Sequence, residues 1–400
     1  MVIDFIYILI IERFYRLLMF VFNEKIVLKK FLANNSYAFL LSSISITFVV
    51  WAIQAVNNLD IVAEDGHSFL IYFYYTLLAF PKIFSDLLPI IFFTSLFYTI
   101  IKYENNNELK IFWINGVNKI QFYNVILRYT VLFFFIQILL TSLLVPYLQN
   151  KGKTYIKEST LDFFPSLFQP KKFIDTVDKL TIFIETKNSN NEFKNIYLKD
   201  ETDDQPRIII AKKGRLLASG DIRVLRLLNG QYLNINKFGN VTSFNFEKTD
   251  FNLSKFLTKT TTYRKLQERQ TSELLMCSHS LLIKKEALKN KKGAINCNRS
   301  SLKEIMSEIY KRIFKPLYLF LLSSIVIFLL TSNNEEGKFK KIKLFIFSFG
   351  IFFIILSEIS VDYSGKNNIN LLVSIFFPLI IFLVLYSLFY KRINYGNNKK

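Results

Sequence analysis

The chain has 400 residues, of which 51% are hydrophobic and 43 are phenylalanine, and its formal net charge is +20. This composition suits a chain that faces lipid better than a water-soluble globular domain. The basic residues are mixed with acids between apolar runs, so they do not indicate nucleic-acid binding, and two histidines in the whole chain do not indicate a metal site.

Six apolar runs without a charged residue organise the chain, three before and three after a polar insert. Roughly 20 apolar residues are enough for a helix to cross a bilayer, and the two shorter runs can be extended by apolar neighbours. The sequence therefore predicts an α+β membrane protein with six transmembrane helices, arranged 3+3 around an extramembrane domain. The runs are Phe31–Leu59, Leu87–Ile101, Tyr129–Asn150, Pro316–Asn334, Leu344–Ser357 and Asn367–Tyr390.

Residues 1–22 are apolar but contain Asp4, Glu12, Arg13 and Arg16. They are not followed by the small-residue cleavage site of a signal peptide. We predict an N-terminal extension or interfacial helix here. The alternative is that Met19 is the true start of the protein.

Residues 68–101 could form one span or two, because Lys82 and Asp86 interrupt the apolar sequence. Each half has only about 15 residues, which is short for a crossing, so we predict one long helix whose first half lies near the outer interface. Lys82 and Asp86 lie four residues apart and are positioned to pair on one helix face. If both halves crossed, the orientation of the insert would reverse.

The charges of the short loops indicate the orientation. Residues 102–128 and 333–343 each carry four basic and two acidic side chains, whereas residues 57–67 carry three acidic side chains and no Lys or Arg. Short basic loops remain in the cytoplasm. We therefore predict that both termini, including the basic tail 393–400, are cytoplasmic and that the large insert lies across the membrane.

Strand signals replace the helical period in the first part of the insert. Leucine and isoleucine occupy every second position in residues 180–185. Asn229-Gly230 and Gly239-Asn240 are of the type that forms two-residue turns, and the second pair predicts a hairpin over residues 232–247. Several short strands with closely spaced turns predict a periplasmic β-jelly-roll-like domain at residues 151–258, with an apolar interior.

Residues 259–315 are strongly basic and are predicted to form a periplasmic connector of helix and loop. Ile305 and Ile309, behind Ser300, indicate a capped amphipathic helix that leads into the fourth span at Pro316. The connector is either a solvated linker against lipid headgroups or a basic surface that attracts an anionic lipid.

The chain has two cysteines, Cys277 and Cys297, and both lie in the connector. On the periplasmic side of a membrane a disulfide between them is allowed, and two free thiols are the alternative. The basic stretch 276–300 around them contains no motif from which we predict a function.

The loop between the second and third spans holds the best candidate for a partner site. Leu109, Phe112 and Trp113 form an apolar stripe at helical spacing, and Gly116 is positioned to end that helix. A short amphipathic helix at the cytoplasmic face of a membrane protein suits docking to another protein. An interfacial loop without a partner is the alternative.

Several segments, in this order and spacing, resemble the LptF/LptG permeases of the lipopolysaccharide exporter. Members carry a segment of the form S-E-L-x-V-x-R-A-x-G-[IM]-S between the second and third helices, which residues 107–118 resemble. Here Trp113 and Ile114 stand where the family has Arg-Ala. Three of the other segments look closer to the LptF branch than to LptG, namely 50–54 (VWAIQ), 59–62 (LDIV) and 80–81 (FP). Residues 271–275 (TSELL) and 308–317 (EIYKRIFKPL) resemble the family's entry into its fourth helix.

The resemblance implies a permease subunit of an ABC transporter that extracts lipopolysaccharide from the inner membrane and passes it to a periplasmic bridge toward the outer membrane. It implies three partners: an LptG-like permease, a dimer of an LptB-like ATPase and an LptC-like periplasmic protein. ATP would bind to the partner ATPase, so no cofactor and no catalytic residue is expected in this chain. Consistent with that expectation, the sequence has no phosphate-binding G-x-x-x-x-G-K-[ST] motif.

The resemblance also implies a coupling helix at residues 105–118, seated on the ATPase. Its expected site residues are Glu108, Leu109, Ile111, Phe112 and Gly116. Glu108 would offer a carboxylate to a basic residue of the ATPase. The transmembrane parts, 23–150 and 316–392, would provide lateral gates through their first and fifth spans. Lys82, near the outer interface, is the candidate lipid contact.

Four interpretations compete with an LptF-type permease. An LptG-type paralogue would share the same layout. A different ABC permease with a periplasmic domain usually has four spans, which the 3+3 count opposes. A membrane-anchored periplasmic binding or scaffold protein would need no amphipathic loop between the second and third spans. A membrane enzyme would need paired carboxylates or a nucleophile near one interface, and Glu358 and Asp362 have no obvious partner in the sequence.

Overall fold

The computed structural model describes residues 25–59, 69–167, 170–177, 180–188, 192–201, 207–219, 222–235, 241–253, 265–282, 301–331 and 336–397. The chain divides into two compact units. The membrane unit comprises residues 1–52, 79–149 and 265–400. The β unit comprises residues 53–78 and 150–264.

Apolar helices make up most of the described chain. They are α1 (Ile26–Asn57), α2 (Phe69–Asn105), α3 (Glu108–Ile114), α4 (Lys119–Leu139), α5 (Val145–Leu167), α6 (Thr271–Leu282), α7 (Leu302–Ile309), α8 (Tyr318–Ile327), α9 (Glu336–Ser364) and α10 (Asn368–Asn397). A π-helical turn, Leu140–Leu144, joins α4 to α5. A second π-helical turn, Tyr310–Phe314, and a 3-10 turn, Lys315–Leu317, join α7 to α8.

Six helical stretches within the described residues are long and apolar enough to cross a membrane, which confirms the predicted count. They are Ile26–Asn57, Phe69–Asn105, Lys119–Ile156, Leu302–Thr331, Lys340–Ser364 and Asn368–Asn394. The six-stranded sheet lies between the third and fourth stretches in the sequence. The predicted α+β class is therefore confirmed, with helix as the main component.

The second span is one helix, as predicted, and it passes through Pro81 and Pro89 without a break. The predicted ion pair between Lys82 and Asp86 is wrong. The Lys82 ammonium donates to the Gln267 side chain at 3.2 Å, and Asp86 lies 3.5 Å from Lys311. Both side chains therefore contact residues that are distant in the sequence. Helical spacing alone does not predict such contacts.

The fourth span begins at Leu302 rather than at Pro316. Pro316 lies at the start of the 3-10 turn, where a missing backbone N–H is tolerated. The predicted inward face of α7 is confirmed, because Ile305 and Ile309 are buried with Leu274 of α6. Ser301 precedes α7 and its side chain makes no capping hydrogen bond, whereas the predicted cap at Ser300 lies outside the described residues.

Close packing in the membrane unit depends on small and polar residues as well as on phenylalanine. Ser36 of α1 lies 2.9 Å from the Tyr129 hydroxyl of α4, so two buried polar groups satisfy each other. A Cβ at Gly350 of α9 would lie only 2.0 Å from the Phe93 ring of α2. The absence of a side chain at Gly350 therefore lets the two helices approach each other.

The β unit contains one antiparallel sheet whose strands pair in sequence order. The strands are β1 (Phe173–Val177), β2 (Leu180–Lys187), β3 (Glu192–Asp200), β4 (Arg207–Ser219), β5 (Ile222–Ile235) and β6 (Val241–Asn252). The described strands form a meander, whereas a jelly roll also pairs strands that are not consecutive. The predicted β domain is therefore present, and its described strands have the order of a meander instead of that of a jelly roll.

One face of the sheet is apolar because residues that pair across strands point to the same side. Ile182, Leu198 and Ile209 are successive partners on β2, β3 and β4, and all three are buried. The predicted hairpin is confirmed by the pairing of β5 with β6, in which Ile235 lies opposite Val241. The apolar residues that alternate in the sequence therefore form the buried face of the sheet.

The predicted turn at Asn229-Gly230 is wrong, because both residues lie inside β5. Gly230 pairs with Ala211 on one side and with Phe246 on the other. A Cβ at Gly230 would lie 2.4 Å from the Phe246 ring. The glycine thus provides space for an aromatic ring above the strand, a use that a turn motif does not predict.

Some predictions fall on residues outside the described part of the chain. They are the extension 1–22 with Met19, the turn Gly239-Asn240, and Cys297 with most of the stretch 276–300. Cys277, at the described end of that stretch, is disulfide-bonded, so the alternative of a free thiol at this position is wrong.

Candidate functional site

The helix α3 occupies the loop between the second and third spans, where the sequence predicts a docking element. Asn106 and Asn107 separate it from α2, and Asn107 adopts a left-handed conformation with φ 58°. Asparagine tolerates this conformation better than most residues, so the chain can reverse sharply here. The Asn106 side-chain amide donates to the Glu108 carboxylate at 3.0 Å, at the first residue of α3.

The end of α3 is fixed by a Schellman motif, as the position of Gly116 predicts. The Val117 N–H donates to the Phe112 carbonyl at 3.0 Å, and the Gly116 N–H donates to the Trp113 carbonyl at 3.1 Å. Gly116 has φ +70°, which favours glycine. The Lys25 ammonium then donates to the Gly116 carbonyl at 2.9 Å and links the start of α1 to this turn.

The inward face of α3 is buried among three spans. Leu109 and Phe112 are both buried. The Phe112 ring lies 5.8 Å from the rings of Tyr103 in α2 and Phe122 in α4, and 6.4 Å from that of Phe31 in α1. Burial of one such side chain stabilises a fold by about 1.5–3 kcal/mol. The helix is therefore held to α1, α2 and α4 by side-chain packing.

The outward face of α3 contains two exposed isoleucines beside the exposed Lys110. Ile111 is 52% exposed and Ile114 is 84% exposed, and they lie three residues apart, on one side of the helix. Trp113 is half-buried, with its ring 6.0 Å from that of Phe122 and 5.9 Å from the Lys119 ammonium. The stripe that the sequence singled out thus faces the spans, and the exposed pair is Ile111 and Ile114.

The predicted site residues therefore fall into two groups. Leu109 and Phe112 are inaccessible to a partner, and Gly116 shapes the end of the helix. Glu108 is half-buried and Ile111 is exposed, so both can contact another molecule. Sequence analysis missed Ile114, although its spacing of three from Ile111 is the signal that could have found it. Lys82 does not lie in this group, since it donates to Gln267.

A buried arginine at the start of the fourth span forms a second polar site that sequence analysis missed. Arg312 is 2% exposed and donates to the Glu308 carboxylate at 2.8 Å. It also donates to the Thr271 hydroxyl at 2.9 Å and to three backbone carbonyls, those of Leu266, Gln267 and Arg269. Its guanidinium thus fastens residues 266–271 to the span that follows the connector.

Of the two acids at the end of the fifth span, Glu358 has a partner in the structure. Glu358 accepts a hydrogen bond from the Lys315 ammonium at 2.5 Å. Lys315 is buried, whereas Glu358 is largely exposed. The pair joins the 3-10 turn of the fourth span to α9, so Glu358 has a structural partner that the sequence did not reveal.

Within the described residues, no group of three or more His, Cys, Asp or Glu side chains could hold a metal ion. A family model described as lipopolysaccharide export system permease LptF/LptG matches residues 26–392. That match covers the six spans, α3 and the β unit. A search of curated proteins found no match.

Proposed function

The chain belongs to the LptF/LptG family of lipopolysaccharide export permeases, and from that premise we propose that it is one transmembrane subunit of an ABC exporter. It extracts lipopolysaccharide from the inner membrane and passes it to a periplasmic bridge. The six apolar helices make it a multi-pass membrane protein. Family membership supports an export permease in general, and the arrangement of α3 supports the more specific role that follows.

We place the contact with the partner ATPase on the outer face of α3. Two exposed isoleucines, Ile111 and Ile114, stand at the end of a helix that lies outside the six spans. Complete burial of one isoleucine side chain contributes about 1.5–3 kcal/mol, so an apolar groove on the ATPase would bind this pair favourably. Glu108, at the first turn, adds a carboxylate for a basic residue of the same partner.

Rigid attachment of α3 is what makes the contact useful for transport. Phe112 packs against α1, α2 and α4 at once, and Lys25 holds the carbonyl end of the turn. A displacement of α3 by the ATPase is therefore transmitted to three spans instead of being absorbed by a loose loop. This arrangement of an outward apolar pair on an inward aromatic anchor is the observation that carries the proposal.

The remaining partners follow from the same membership and from the predicted orientation. The termini and α3 lie in the cytoplasm with the LptB-like ATPase, and the β unit lies in the periplasm. In the described sheet β1 and β6 each have one unpaired edge, which suits main-chain pairing with an LptC-like protein. An LptG-like permease completes the subunit pair, and residues 50–54 and 59–62 favour the LptF type for this chain.

Membrane purification of the full chain tests the proposal. Extraction in mild detergent should recover a soluble P-loop ATPase and a second six-span protein. Ile114→Asp should reduce the recovered ATPase at least about tenfold, because the loss of one apolar anchor is worth 1.4 kcal/mol or more. Ile369→Asp is the matched control, since Ile369 is similarly exposed at the start of α10. Equal ATPase recovery with both variants would reject the docking role of α3.

A further inference from the structure

The membrane unit contains a groove of about 570 Å³ between α1 and α2, which we call the α1–α2 groove. It lies along the N-terminal half of α1 and the C-terminal half of α2, and the latter half leads to α3 in the sequence. Tyr37 and Leu41 of α1 form one wall, and Tyr98 and Lys102 of α2 form the other. The groove belongs neither to the docking face of α3 nor to the Arg312 site, so the proposed ATPase contact does not explain it.

The floor of the groove is polar but already satisfied. The Ser42 hydroxyl donates to the Ala38 carbonyl at 2.7 Å, and the Thr94 hydroxyl donates to the Ile90 carbonyl at 2.9 Å. The Thr99 hydroxyl donates to a backbone carbonyl of its own helix in the same way. These three hydroxyl protons are therefore not available to a ligand.

Two donors on the wall of α2 lack a partner among the described residues. The Lys102 side chain is exposed, and Tyr98, 57% exposed, lies one turn deeper in the span. Four residues correspond to about 6 Å along a helix. Glu104, the nearest acid in the sequence, interacts electrostatically with Lys119 and Lys343. The wall thus presents a cation at the membrane surface and a phenol just beneath it.

We propose that the α1–α2 groove binds an anionic glycerophospholipid. The lipid phosphate accepts from Lys102, and an ester carbonyl, which lies deeper in the bilayer than the phosphate, accepts from Tyr98. The upper part of an acyl chain rests against Leu41. From the membrane surface inward, the phosphate and then the ester carbonyl of the lipid face the Lys102 ammonium and then the Tyr98 hydroxyl. Lys102 also neutralises the net negative charge of the lipid.

A transmembrane helix of another subunit is the competing occupant. Its backbone N–H and carbonyl groups are paired within the helix, so it would supply no acceptor for Lys102 except through its side chains. The phospholipid supplies that acceptor directly through its phosphate. The inference that this lipid comes from the cytoplasmic leaflet rests on the proposed orientation of the chain. Binding of the lipid to the groove does not depend on that orientation.

Native mass spectrometry of the purified, delipidated full complex tests this proposal, with phosphatidylglycerol as the added lipid and phosphatidylcholine as the comparison. Phosphatidylglycerol should bind in preference, and Lys102→Ala should weaken its binding about tenfold through loss of a charge-assisted hydrogen bond. Tyr98→Phe should weaken binding of both lipids. Lys391→Ala is the matched control, because Lys391 is exposed at the corresponding end of α10. Equal losses of phosphatidylglycerol binding with Lys102→Ala and Lys391→Ala would indicate that the lipid binds nonspecifically and would overturn the proposed site.

A bulky substitution on the floor separates the two occupants. Ser42→Trp should abolish the preferred binding of phosphatidylglycerol while the second permease still co-purifies. Loss of that permease with lipid binding unchanged would show that a helix fills the groove and would overturn the proposal. ATPase recovery reports on the proposed function independently, because Lys102 and Tyr98 do not lie on the outer face of α3.

Discussion

Phe112 of α3 stacks on Tyr103 of α2, with ring centroids 5.8 Å apart and an angle of 21° between the ring planes. Tyr103 in turn accepts a hydrogen bond from the Asn34 amide of α1 at 2.7 Å. A side chain of the loop helix is thus connected to two spans through one aromatic contact and one hydrogen bond. This connection gives α3 a fixed position from which force can reach the membrane unit.

Phe112→Ala should weaken both the fold and the ATPase contact, although Phe112 is inaccessible to a partner. Removal of a buried phenylalanine costs about 3–5 kcal/mol in a well-packed core. Thermal unfolding in detergent and ATPase co-purification measure the two effects. Ile114→Ala is the contrasting variant, for which we expect an unchanged unfolding temperature and reduced recovery of the ATPase. A Phe112→Ala protein with normal stability and normal recovery would refute the role of the anchor.

Gly116 should tolerate asparagine but not alanine or valine. At φ +70° a Cβ strains the backbone, and we expect Gly116→Ala to destabilise the turn by about 1 kcal/mol. Gly116→Asn should cost less, because asparagine adopts this conformation more readily. The order Gly, Asn, Ala, Val in thermal stability checks the account. The same stability for the unsubstituted protein and all three variants would mean that the turn does not require a left-handed residue.

Arg312→Lys should destabilise the protein nearly as much as Arg312→Ala. A lysine cannot replace five separate hydrogen bonds made in fixed directions by one guanidinium. Loss of one partner of a buried charge pair costs about 3–5 kcal/mol. Lys311→Ala is the control, because its partly exposed pair with Asp86 is worth less than about 1 kcal/mol. Thermal unfolding that ranks Lys311→Ala with the two Arg312 variants would count against the Arg312 site.

Gly350→Ala should separate α9 from α2, since the added methyl group would overlap the Phe93 ring. Overpacking of this kind typically costs about 1–3 kcal/mol. A smaller residue at the facing position should compensate, so the double variant Gly350→Ala, Phe93→Leu should be more stable than Gly350→Ala alone. Additive losses in this double-mutant cycle would show that the two positions are not in contact.

The sequence predicted the six spans and the antiparallel strands because both depend on local apolar patterns. The same patterns do not identify which neighbour an apolar face will meet. For this reason the stripe of Leu109 and Phe112 was expected to meet a partner, whereas the structure packs it against the spans. The spacing of Asn229-Gly230 likewise signals a turn, but the aromatic ring of Phe246 on the neighbouring strand decides its actual use.

Contacts between residues distant in sequence were beyond prediction for a different reason. Arg312 binds carbonyls of residues 266–269, and Lys315 pairs with Glu358 of another span. Nothing in the local sequence distinguishes these buried cations from the exposed lysines around them. Only the packing of the helices shows which charges are buried and therefore need partners.

Site-specific photocrosslinking in native membranes tests the central claim most directly. A photoreactive residue is placed at Ile114, on the exposed face of α3, and in a second variant at Ile369, which is similarly exposed on α10. We predict a covalent adduct with a soluble P-loop ATPase from position 114 and none from position 369. If position 114 gave no ATPase adduct while the ATPase still co-purified with the chain, α3 would not be the docking helix.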